Sequence, residues 1–285
     1  MFGLEKYVRQ FIINRKLRPT RQALQNSLNL VFEIKGPVLD YHNEMQVKRE
    51  ELRHLFDSLV GRLSHQGERR EELIYLSLIY FSSIGRFMVK KAPEWLESWG
   101  EGFKAIGFQE ISKSYIEHAK EEVGHDKWHE RDVKALVQMY NEKFNKNLQV
   151  QEVLAAGNRP CIEAYTRLSE VTTGGELCYL SLAELYETEV MALDLAPAFI
   201  SYCVKEVGFE VLKGLKFLNG HVVADVEHIK ENIVQMDHYL KTNPDKVAQL
   251  KSVGEETIDV YADYFSDILN LAEASLNGKA ERRVG

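Results

Sequence analysis

The chain has 285 residues, 45% of them hydrophobic and 28% charged, with a formal net charge of −7. This is the composition of an ordinary globular protein, long enough to bury a full core. The acidic balance argues against a nucleic-acid partner or an acidic membrane surface. No uncharged apolar run reaches the about 18 residues of a membrane span, and the start Met1-Phe2-Gly3-Leu4 has no secretory apolar region, so the expected compartment is cytoplasmic. Cys161, Cys178 and Cys203 lack the close spacing of a zinc knuckle or a disulfide framework.

Nearly everything reads as helix: prolines are few, and no Asn-Gly turn joins two strand-like runs. Residues 3–35 suggest two short amphipathic helices parted near Arg18-Pro19, the second ended by Pro37. A charged helix over about 43–64 is broken by Gly67, and a strongly apolar helix follows over about 69–91, closed by Pro93. Residues 95–107 carry three glycines and suggest a short irregular connection. The next helix is expected over about 109–141, with a turn or two at 148–156 ended by Gly157-Asn158 and another helix at 161–172. Thr173-Gly174-Gly175-Glu176 resembles a start signal for a helix over 177–195, with Pro197 at its far end or in a kink. Residues 198–218 suggest helix with a break near Gly208, and Gly220 either caps a new helix or is tolerated inside a longer one. Asn243-Pro244 is a good N-cap and first-turn pair for a last helix reaching about Asn277, before a frayed tail at 279–285.

Three polar clusters interrupt this apolar pattern. In His221-Val-Val-Ala-Asp225-Val-Glu-His228, the spacing i, i+4, i+7 places two imidazoles and a carboxylate on one helical face. That face borders the stripe Val222, Val226, Ile229, Ile233 and Met236, so it lies at the edge of a buried surface. In the second cluster, His118, Glu122, His125 and His129 share a narrow face at helical pitch, and Glu122-x-x-His125 is a carboxylate–imidazole pair of the kind used in helix-bundle di-iron sites. The third piece is Glu189, on one stripe with Cys178, Leu182, Leu185, Leu193 and Ala196, whereas Glu184 and Glu187 fall on the opposite side. A carboxylate buried in such a stripe costs on the order of several kcal/mol unless it is paired or bound to a cation. The competing readings are an intrahelical Asp–His pair, a solvated charged helix, and a Glu189 that is protonated or salt-bridged to a lysine or arginine elsewhere in the chain. Five of the nine histidines fall in two of these clusters, which solvent-facing histidines alone do not explain. Three carboxylates and three imidazoles without thiolate suit two divalent transition-metal ions better than structural zinc.

These residues resemble the haem-oxygenase-like di-iron oxidases, an all-helical family that includes an alkene-forming fatty-acid decarboxylase and enzymes that N-oxygenate amino acids. The His-x-x-x-Asp-x-x-His motif is matched by His221, Asp225 and His228, the Tyr-x-x-Glu motif by Tyr186 and Glu189, and Glu-Glu-x-Gly with its histidine by Glu121, Glu122, Gly124 and His125. The resemblance spans about residues 70–270 and implies an all-α, haem-oxygenase-like bundle. It implies Glu122, His125 and His221 on one iron and Glu189, Asp225 and His228 on the other, with Glu121 and His129 as substitutes. It also implies two Fe(II) ions, dioxygen as co-substrate, and oxidation of a small amino-acid-derived amine or organic acid through a peroxo-diferric intermediate. A fatty acid is the alternative substrate.

The domain reading is an N-terminal helical extension at 1–66 packed on a core at 67–278, with a small-molecule substrate and a homodimer as the expected partners. Rival classes are a thiaminase-like hydrolase, a haem oxygenase, an iron-storage protein and a non-enzymatic helical protein. The first needs a cysteine where Leu182 stands, with Cys178 a turn further away. A haem oxygenase would need one histidine and no acidic cluster. Iron storage would use two Glu-x-x-His motifs, of which Glu122-x-x-His125 is one.

Overall fold

The computed structural model describes residues 34–155, 159–173 and 175–278, and every regular element among them is helical. In chain order these are α1 (Pro37–Glu44), α2 (Gln46–Ser64), α3 (Arg70–Lys90), α4 (Ala92–Ala105), α5 (Gln109–Glu122) and α6 (His125–Phe144). They continue with α7 (Val150–Ala155), α8 (Pro160–Thr172), α9 (Ser181–Val207), α10 (Lys216–Thr242) and α11 (Val247–Leu276). Short 3₁₀ turns sit at Gly67–Arg69, Gly175–Leu180, Phe209–Gly214 and Pro244–Lys246. The helix pair expected before Pro37, the Gly157-Asn158 terminator and the tail at 279–285 fall on or extend into residues outside the described ones.

Helix α3 shows why the bundle forms around it. Leu73, Ile74, Tyr75, Leu76, Leu78 and Ile79 are consecutive or nearly so, and all are buried. A helix apolar on every side has no solvated face and must be enclosed. It packs along α6 and α11, while α9 packs along α10 and α11, and α4 pairs with α5. The stretch Gly67–Ala105 holds an 18-residue window of mean hydropathy 1.3, apolar enough to cross a membrane, but 67% of that window is buried inside the protein.

Three local expectations are corrected. Pro37 opens α1 instead of ending a helix, because at the first helical position its missing N–H would have no partner anyway. Residues 95–107 are largely helix α4. Its Gly100 and Gly102 mark close approach and not a break: a Cβ on Gly100 would lie 2.9 Å from Ile116, and one on Gly102 would lie 2.6 Å from Cys178. The single helix expected over 109–141 is two, since Val123 turns extended and Gly124 takes φ +90°, a left-handed conformation that glycine adopts freely. Of the alternatives left open, Gly220 is tolerated inside the longer helix α10, and Pro197 lies inside α9.

Helix α2 is tied to α9 by a buried ion pair. The Arg49 guanidinium donates from Nε to Glu187 Oε2 at 2.8 Å and from an Nη to Oε1 at 2.6 Å, and Tyr41 adds a hydrogen bond to Oε1 at 2.8 Å. Both partners are buried, at 5% and 1% exposure, so removing one strands the other charge in low dielectric. Arg49→Met is expected to lower stability by about 3–5 kcal/mol, read from the denaturant midpoint at unchanged m. The double variant Arg49→Met/Glu187→Leu is expected to recover most of that loss.

Candidate metal centre

Helices α5, α6, α9 and α10 each contribute to one buried cluster. Helix α10 starts where Asp132 of α6 accepts the backbone N–H groups of Lys216 and Phe217, both at 2.8 Å, which fixes its first turn against α6. From that start His221, Asp225 and His228 rise along one face of α10. The α5–α6 break at Gly124 brings His125 back over the end of α5, so that Nδ1 of His125 lies 2.8 Å from Glu122 Oε2. Trp128 stacks on His125 at a ring distance of 4.1 Å. Gly220 leaves room for the Trp128 ring against α10.

The six side chains singled out in the sequence come together as two trios. Donor atoms of Glu122, His125 and His221 lie within 4.8 Å of one another, as do those of Glu189, Asp225 and His228. All but His221 are buried, and His221 is nearly so. A third group, His118, Glu122 and His228, links the two. His118 Nε2 lies 3.7 Å from Glu122 Oε1 and 3.6 Å from Glu189 Oε1, touching a carboxylate of each trio. His129 is not drawn in: it is buried in the wall, stacked on Phe217 at 3.6 Å, with Nδ1 lacking a partner. Tyr186 also points elsewhere, its hydroxyl 2.8 Å from His42 Nδ1.

A second layer aims the donors. His228 has Nε2 2.9 Å from Glu121 Oε2, leaving Nδ1 facing Glu189 and Asp225 at 3.6 and 3.7 Å. His221 Nδ1 lies 3.1 Å from the Phe217 carbonyl, which turns Nε2 toward Glu122. Asn232 donates to Glu189 Oε2 at 2.5 Å. The sequence reading missed His118 as a donor and Asn232 as a support. Both lay on its own spacing, His118 four residues before Glu122 and Asn232 four after His228.

The electrostatics call for a cation. Glu122, Glu189 and Asp225 have no lysine or arginine partner among the described residues; the ionisable bases that face them are histidines. Burial pushes the Glu189 carboxyl well above its ordinary range, and the charges of Asp225 and Glu122 push the same way against His228. Burial also works against the Glu122 carboxylate, but hydrogen bonds from His118, His125 and His221 outweigh it and hold its pKa well below the usual range. His228, despite burial, is raised to about 10 by Asp225, Glu189 and Glu121. Oxygen and imidazole donors without thiolate are what a divalent first-row transition metal takes, and these residues could hold one. The cysteines are buried outside the cluster, and burial pushes the Cys178 thiol up to about 11, away from nucleophilic use.

The cluster opens on a cavity of about 210 Å³. Its walls are mainly Phe56, Leu63, Phe81, Met88, Trp95 and Phe265, with His118, Glu122, Glu189, His221 and Asp225 at the cluster. Among the described residues no lysine or arginine lines it.

Glu184 and Glu187, expected on the side of α9 away from the buried stripe, are instead each 1% exposed. Helix α9 has α10 and α11 along it and further contacts with α2, α3 and α8, so neither residue finds a solvated face. Glu187 is neutralised by Arg49, whereas Glu184 accepts hydrogen bonds from Ser169 Oγ at 2.5 Å and Thr172 Oγ1 at 2.9 Å. Burial pushes the Glu184 carboxyl up to about 7, the two hydroxyls pulling the other way.

No protein-family model matches the chain, and neither does any curated protein sequence. A solved structure does: a domain of unknown function with a heme oxygenase-like fold from Shewanella denitrificans OS217, at TM-score 0.60 and 18% sequence identity, over 82% of this chain and 94% of that one. The chain therefore has a haem-oxygenase-like, all-α fold.

Two outcomes are expected. Glu121→Gln should weaken metal binding at the Glu189, Asp225 and His228 trio by about 10–100-fold, measured by competition with a chelator. Because the folded Glu184 carboxyl holds its proton up to about pH 7 while the unfolded one releases it near 4.5, its contribution to stability is complete below 4.5 and is lost as pH rises through 7. That loss is on the order of 3 kcal/mol and should be absent from Glu184→Gln, as shown by denaturant titrations of both proteins across this window.

Proposed function

We propose that the protein is a non-haem di-iron oxidase or oxygenase that uses dioxygen on a small organic molecule with an apolar body. One observation carries this reading: two buried carboxylate–imidazole trios, with no lysine or arginine among the described residues to balance them, share a wall with an apolar chamber. Iron storage has no use for such a chamber, and a haem oxygenase needs no convergent acidic set. At about 210 Å³ the chamber is smaller than the roughly 300–1,000 Å³ of drug-sized ligand pockets, which favours a slim substrate.

In this reading Glu122, His125 and His221 hold one ion, and Glu189, Asp225 and His228 hold the other. Two ferrous ions bound there would supply the electrons that reduce dioxygen, and dioxygen would be the oxidant for a C–H or N–H bond of the substrate. The chain's own part is orientation and exclusion of water. Glu121 sets the His228 tautomer, Asn232 steadies Glu189, and Phe81, Phe217 and Val222 close the chamber around the cluster. An amine with a hydrocarbon body is the first choice of substrate. A fatty acid is the second, and its carboxylate would have to meet the metal, since no lysine or arginine among the described residues lines the wall.

Anaerobic iron(II) titration should saturate near about two equivalents, with Asp225→Ala and His228→Ala each losing mainly one. Binding of a single zinc ion, insensitive to either change, would overturn the proposal. Oxygen uptake that builds an iron-oxide core and yields no organic product would favour storage.

A further inference from the structure

The chamber contains a carboxylate that the metal cluster does not use. Glu184 lines the same cavity as Glu122 and Glu189, and among the described residues it has no lysine, arginine or histidine partner. Each of its oxygens accepts one hydroxyl hydrogen bond, which leaves acceptor capacity on both. Thr172, which holds Oε2, is itself fixed by Trp99 Nε1 at 3.0 Å. One turn along α9, Thr188 Oγ1 is buried in the same wall, facing the Tyr261 hydroxyl without a close hydrogen bond. Tyr165 and Tyr261 complete this polar corner, and the hydroxyls of both feel the Glu184 charge.

A tie between α8 and α9 would not require an ionisable group, since a glutamine amide could bond the same two hydroxyls without the cost of burying a charge. What a carboxylate adds is affinity for a cation, and among the described residues no lysine or arginine lines the walls. We propose that Glu184 is a recognition subsite for a cationic nitrogen: a primary or secondary ammonium on an apolar molecule, with Thr188 Oγ1 accepting a second N–H. The hydrocarbon part would lie along Leu185, Phe199 and Phe265. A carboxylate head would be repelled from this corner. The inference rests on the chamber being the substrate site, as proposed above, but not on iron or on oxidation.

The test is calorimetric titration of the full chain loaded with zinc(II), which occupies the cluster carboxylates without redox chemistry. The probes are octylamine, octanol and octanoate at about pH 8, where an alkylamine is protonated. Octylamine should bind about tenfold or more tighter than octanol, the scale of a charge-assisted hydrogen bond, and octanoate weakest. Glu184→Gln should reduce the amine-to-alcohol ratio to about one while leaving octanol affinity in place. Thr188→Val should lower the same ratio and serves if Glu184→Gln fails to fold. A wild-type preference for octanol or octanoate, or a ratio unmoved by either substitution, would overturn the subsite. Amine binding by the zinc form without oxygen uptake by the iron form would uphold it and count against the oxidase.

Discussion

Glu122, Glu189 and Asp225 sit in the core of a helical bundle facing imidazoles, and the arrangement around them follows from what that burial costs. A carboxylate removed from water loses several kcal/mol of solvation, in order of magnitude, unless hydrogen bonds or a cation replace it. The two trios meet this cost differently. Three histidines favour the ionised form of Glu122, while burial and the like charge of Asp225 favour the protonated form of Glu189. A cation on the Glu189 side competes with that proton, so metal affinity there falls as pH falls.

The backbone provides the geometry through a few local devices. The left-handed Gly124 folds α6 back over α5, so Glu122 and His125 meet at 2.8 Å across a helix break. Asp132 fixes the start of α10, and from there its helical rise sets the heights of His221, Asp225, His228 and Asn232. Helix α9 buries three glutamates and handles each separately: Arg49 balances Glu187, hydroxyls hold Glu184, and the cluster takes Glu189.

Much of this was legible in the sequence, because helical spacing is a rigid ruler. His221, Asp225 and His228 at i, i+4 and i+7 could share a face in only one way, and the run from Leu73 to Ile79 could only be a buried helix. The misses have physical causes. Glycine pairs signal a break and close packing alike, and only the partner surfaces of Ile116 and Cys178 distinguish the two for α4. Face assignments on α9 assumed one solvated side, but a helix enclosed by its neighbours has none, so Glu184 and Glu187 were misplaced. The cavity is lined from α2, α3, α4, α5, α6, α8, α9, α10 and α11, and no single helix encodes it.

The central claim is that the two trios hold two ions, and anomalous diffraction at the iron edge tests it most directly. Crystals grown anaerobically with iron(II) should show two peaks, one bounded by Glu122, His125 and His221 and the other by Glu189, Asp225 and His228. A single peak centred on His118, Glu122 and His228, or no peak within the cluster, would contradict it.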